Sequence, residues 1–189
     1  MKILILSLIL LLQAKDQSTT LWGNLHTYKS PGFSDDRPLS AAQLKTISEA
    51  LRKEKYVAQC RSEESADSVL QKLRFKRIQL SPNRENVLVE AGAGCLRGGQ
   101  GANGAMWIVQ LGPGMATILA SPAEGFDGWL YSVQTTASKG YRDIVLGWHI
   151  SAREAGLGWF RFNGARYQRL SNATLKRDDN GNETVTPAK

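Results

Sequence analysis

The residues able to do chemistry gather between 140 and 170, in "GYRDIVLGWHISAREAGLGWFRFNGARYQRL". His149, one of 2 histidines in the chain, can serve as a general base near neutral pH if a carboxylate orients its ring. Glu154 and Asp143 are the carboxylates close to it in sequence, and Arg153 supplies a cation able to hold an anion. That set suits hydrolysis of an acidic substrate. The competing reading is that Ser151 to Ala155 is a polar hairpin loop in which an Arg–Glu pair is simply solvated. Trp148 and Trp159 flank the loop. Facing outward, they and Arg153 form a binding surface for sugar rings or a partner's side chains; facing inward, the indoles are core. Strand alternation puts Trp148 on the face opposite His149.

Other chemistries find little footing. No serine sits in an elbow motif, and no cysteine lies near either histidine in sequence. Gly99, Gly101 and Gly104 fit the spacing G-x-G-x-x-G, with Glu124 downstream. A dinucleotide site needs the last glycine to open a helix, whereas "AMWIVQL" reads as a strand, so no nucleotide or other cofactor is expected. His26 and His149 are far apart and no CxxC pair occurs, so no metal site is expected either. "KGYRDIVLGW" is similar to half of a calcium-binding propeller repeat, but "TTASKG" replaces the aspartates of that repeat and no second copy follows. Cys60 and Cys95 fit a disulfide in an oxidising compartment, a free thiol being the alternative.

The elements that must position these residues are mostly strands. "MKILILSLILLLQAKDQ" has one basic residue and then an apolar run from Ile3 to Leu12. A spanning helix needs about 20 residues, so residues 1–14 read as a cleaved export signal, and no later segment is apolar enough to anchor the chain. Residues 15–38 form a flexible leader that can lie over the domain, and residues 39–170 the globular domain. Ser40 and Gln43 make a capping box, and Leu44, Ile47 and Leu51 make one apolar stripe, which predicts an amphipathic helix over 41–54. From residue 73 the period falls to two. Strands are expected at 73–80, 86–91, 105–111, 115–121, 129–137 and 143–150, then at 156–162 and 165–170 around Asn163-Gly164, a hairpin dipeptide whose two residues take positive φ. The class is α+β: one antiparallel domain of seven or eight strands, a sandwich or a curled sheet, with one N-terminal helix. Residues 171–189 are polar and aperiodic and are expected to be disordered.

From Gly92 to Tyr167 the chain carries a cysteine in a Gly-rich loop, then "NGAMWIV", "KGYRDIVLGWHISA" and "FRFNGARYQ". The pattern resembles a group of small exported bacterial proteins of unestablished role. The resemblance implies export, a cell-envelope setting and a compact β-rich domain, and it assigns no catalytic residue.

Net charge is +7, and it falls to +6 when residues 1–14 take Lys2 with them. Lys and Arg are dispersed rather than clustered, which argues for solubility and against a nucleic-acid partner. The leading expectation is an exported, non-enzymatic binding or accessory protein whose partner is an envelope protein or polymer. The alternatives are a hydrolase using His149 with a carboxylate and a structural envelope component.

Overall fold

A computed structural model describes residues 21–25, 34–35, 37–60, 64–97 and 103–188. Among them ten strands pair antiparallel into one sheet. Eight strands make a curled half-barrel: β2 (Leu73–Ser81), β3 (Arg84–Ala91), β4 (Gly104–Gly112), β5 (Met115–Ala120), β6 (Asp127–Ser138), β7 (Tyr141–His149), β8 (Glu154–Phe162) and β9 (Tyr167–Arg177). The short β1 (Ser34–Asp35) and β10 (Glu183–Pro187) extend its two edges. Short helices precede the sheet: α1 (Ala41–Leu51), α2 (Lys55–Gln59) and α3 (Ala66–Gln71). None of the described helices is long and apolar enough to cross a membrane.

The curl originates in the strand pairing of β4. One edge of β4 pairs with β3, and the other is divided: Ile108–Gly112 face β5, while only Gly104 and Ala105 face β6. Register shifts in β6 bend it further around the core.

Both faces of the sheet are covered, so alternate residues of one strand enter different cores. The concave face buries Leu80, Leu88, Ile108, Phe126, Ile144, Phe160 and Tyr167. On the convex face of the first half, Val87, Val89, Trp107 and Val109 pack with Ile47 and Leu51 of α1 and with the shorter helices. Ser40 caps α1 in a reciprocal box with Gln43. On the convex face of the second half, Val145, Leu157, Trp159, Ala173 and Leu175 pack under Trp22. Burial on both sides is why "IVL" of β7, residues 144–146, reads as a continuous apolar run. Trp22 meets Trp159 edge-on at 5.4 Å and donates its indole N–H to Ser171 Oγ at 2.9 Å. Leu21–Leu25 of the leader thus lie over the domain. Residues 1–20, with the expected signal, and His26 lie outside the described residues.

The tail departs from expectation as well. β9 continues to Arg177 and β10 pairs with it, where disorder was expected from Ser171 onward. A bulge explains the misreading: Trp159 faces Ser171 but Phe160 faces Arg169, so Leu170 is an extra residue that reverses the inward phase. Beyond it Ala173 and Leu175 are the buried set, and their polar neighbours point away. Asn163-Gly164 is not the expected two-residue turn. Gly164 has φ 109° but Asn163 is not in the positive-φ region; its side chain instead accepts the N–H groups of Ala165 and Arg166, each at 2.9 Å, and builds a four-residue loop. The two-residue turn with two positive φ values is Lys139-Gly140, at 50° and 82°, between β6 and β7.

Candidate binding cleft

Strand register separates the residues that proximity in sequence had grouped. Asp143 and His149 lie at opposite ends of β7, about 20 Å apart at roughly 3.3 Å per residue. Asp143 is fully buried and saturated: Arg161 reaches it through Nη2 at 2.7 Å and Nε at 3.1 Å, the Trp159 indole donates at 3.0 Å, and Thr136 Oγ1 at 2.8 Å. These hydrogen bonds hold the Arg161 guanidinium above its ordinary pKa despite burial. Asp143 is thus a tie between β6, β7 and β8, and it does not orient His149.

Glu154 is no nearer in function. His149 stands opposite Ala155, so Glu154 projects from the other face, where it pairs with Lys176 of β9 at 2.9 Å. Arg153 turns to Asp179 at 2.6 Å. Trp159 is 1% exposed beneath Trp22 and offers no stacking surface. Trp148 lies on the concave face, half-buried, across Gly156, where any added Cβ would come within 2.1 Å of its ring. Arg169 covers it at 5.3 Å, lies 5.2 Å from the Phe160 ring and donates to the Gly125 carbonyl at 2.9 Å. Trp148 is therefore the filler of a clamp. The catalytic trio and the three expected binding residues do not converge.

His149 meets a different partner. Its ring lies 4.4 Å from that of Trp129, tilted 41°, on the exposed end of β7. Trp129 takes this place because its cross-strand neighbour is Gly147; a Cβ there would sit 2.6 Å from the indole. The main-chain N–H of His149 donates to Asn103 Oδ1 at 2.9 Å, which ties the strand end to the start of β4. The two rings border a cleft of about 280 Å³ that also takes in Arg74, Glu90, Arg97 and Met106. Here β3 and β7 finish while β2, β4 and β6 begin, so five strands each deliver an end residue to one place. Arg97 is steadied by a backbone bridge to Gly104, with Nη1 directed at the carbonyl oxygens of Ala91 and Gly92 at 3.4 and 3.3 Å.

Beside this cleft is a second pocket of about 380 Å³, bordered by Tyr56, Gln59, Asn103, Asp127 and the disulfide. Cys60 and Cys95 are bonded, with Cα atoms 5.8 Å apart, and fasten the end of α2 to the turn before Arg97. Further along β6, Tyr131 donates its hydroxyl to Glu183 of β10 at 3.2 Å; burial first, and then that carboxylate, push its pKa up to about 12.

Compared with protein-family models, curated proteins and solved structures, the chain has no match. The chemistry of the cleft is read from its own residues. Two guanidinium groups, one carboxylate, one imidazole and an indole face suit the holding of a polar, partly anionic ligand with an apolar face. Sequence reasoning placed Trp129 only as the first residue of a strand over 129–137 and missed Arg74, Glu90, Arg97 and Asn103. The available signal was the pairing of Trp129 with Gly147, which needs the register of β6 and β7 to be seen.

Proposed function

We propose that the chain is an exported, non-enzymatic binding or accessory domain of the bacterial cell envelope, with residues 1–14 as its export signal. The observation that carries this reading is the Trp129–His149 pair at the rim of a concave, polar cleft built from five strand ends. A rigid aromatic anchor surrounded by charged groups suits holding a ligand. The hydrolase alternative needs a carboxylate on the imidazole; Asp143 is taken up by Arg161 and Glu154 by Lys176, which leaves Glu90 as the carboxylate sharing the cleft with His149.

The test is co-sedimentation of the processed chain with detergent-washed envelopes. Wild type is expected in the pellet. Trp129→Ala and His149→Ala are expected to weaken sedimentation by roughly tenfold or more, as loss of an aromatic hot spot does. Circular dichroism checks that both variants remain folded. Folded variants that sediment like wild type count against the cleft. The secreted chain should be recovered from the periplasm beginning near Lys15, and an uncleaved cytosolic product would end the export reading.

A further inference from the structure

The two pockets at the disulfide end share one wall. Gly104 and Ala105 border both of them, and on the β6 side the wall continues as Asp127 in one pocket and Gly128 in the other. That wall is the place where β4 meets β6, Gly104 opposite Gly128 and Ala105 opposite Asp127. No side chain rises from the glycine pair. Gly128 is required there, since its φ is 107° and an added Cβ would lie 2.0 Å from the Gly147 carbonyl oxygen. On one side of this saddle stand Trp129, His149, Arg74 and Arg97; on the other stand Tyr56, Gln59, Asn103 and Asp127.

We propose that the two pockets are halves of one groove that takes an extended acidic glycan, a chain of sugar rings bearing carboxylates. The inference rests on the cleft being a binding site and names its ligand class. Pyranose rings have an apolar C–H face and a hydroxyl rim, which matches the Trp129 indole face set among polar groups. Guanidinium forks of Arg74 and Arg97 suit carboxylates at the same level. Across the saddle, Asp127 accepts hydrogen bonds, and Gln59 and Asn103 both donate and accept, as sugar hydroxyls require. A peptide is the poorer fit. It would need a free strand edge to pair with, whereas β4 and β6 use their edges on each other here. A featureless polyanion is disfavoured too, because Glu90 and Asp127 interrupt the cationic field.

The experiment titrates the processed full chain with dimeric and tetrameric oligogalacturonate, and with the tetramer after its carboxyls are reduced to alcohols, followed by tryptophan fluorescence and calorimetry at physiological salt. The tetramer is expected to bind roughly tenfold or more tighter than the dimer, because it engages both pockets at once. Carboxyl reduction is expected to cost roughly tenfold, and Arg97→Gln or the exposed Arg74→Gln about as much for the acidic oligomers only. Asp127→Asn should weaken the tetramer more than the dimer. Equal affinity for acidic and reduced tetramers, or no gain from dimer to tetramer, overturns the proposal. If no oligomer binds while Trp129→Ala still abolishes envelope sedimentation, the glycan is wrong and the cleft stands; protease-sensitive envelope sites would then identify a peptide ligand. If Trp129→Ala is silent in both assays, the binding reading fails as well.

Discussion

Asp143 shows how a residue that looks catalytic in a string of letters becomes structural once a strand is drawn. Six residues of extended chain cover about 20 Å, so closeness in sequence to His149 meant distance in space. Its four donor atoms belong to three side chains on two strands, and Arg161 lends a charge with 36% of its side chain still exposed. Asp143→Asn keeps the shape and removes the charge, leaving the guanidinium without its counter-ion. The expected result in urea is a stability loss of about 3 kcal/mol, with an unchanged dependence on denaturant and no change in the proposed envelope binding. A loss below about 0.5 kcal/mol would mean that solvent already screens the pair. The residues that make the cleft were visible in the sequence only as ordinary strand members. Arg74 and Glu90 are cross-strand neighbours, and Trp129 and His149 meet across Gly147, relations that exist only after register is fixed.

At the scale of elements, period-two alternation marked where strands run, because each strand buries at least one face. It failed where the phase breaks. The bulge at Leu170 turned a buried strand into an apparently aperiodic tail, and the side chain of Asn163 built a different loop from the one its dipeptide usually makes. Lys139-Gly140 carried no comparable cue, since lysine rarely takes positive φ. The seam glycine permits a direct check. Gly128→Ala meets both an unfavourable φ and the Gly147 carbonyl, whereas Gly114→Ala, at φ 68° in the β4–β5 turn, meets nothing within 4 Å. Backbone strain alone costs about 1–3 kcal/mol, so both variants should lose stability. The excess at Gly128 over Gly114, read from thermal unfolding, measures the clash, and no excess would mean that the seam relaxes freely.

For the molecule as a whole, period-two alternation pointed to a β-rich chain and the two cysteines were compatible with the disulfide, while the covers of the convex face were harder to foresee. Trp22 lies in a stretch without any repeating pattern, and nothing local reveals that a lone indole will seat on Trp159. The Cys60–Cys95 bond closes a separation of 35 residues, including α3, β2 and β3. Chain-entropy arguments put its contribution at about 3–4 kcal/mol. Replacing both cysteines by alanine should lower the denaturant midpoint accordingly, and it should weaken envelope binding more than Asp143→Asn does, because the bond anchors the turn that carries Arg97. An unchanged midpoint would show that the covalent tie is redundant with the packing around it.

The two-residue junction of β4 with β6 reaches beyond the groove. Hydrogen-bonded backbone elsewhere knits neighbours over many rungs, yet at this junction two rungs hold the left and right leaves together, helped by the Met106 N–H on the Phe126 carbonyl, the His149 N–H on Asn103, the Tyr141 hydroxyl on Gln110, and the shared concave filling of Ile108, Phe126, Ile144 and Phe160. The spine of the domain is accordingly oil held by a few threads: a cavity-forming substitution in that filling is expected to loosen the covers from each other before it frays either page.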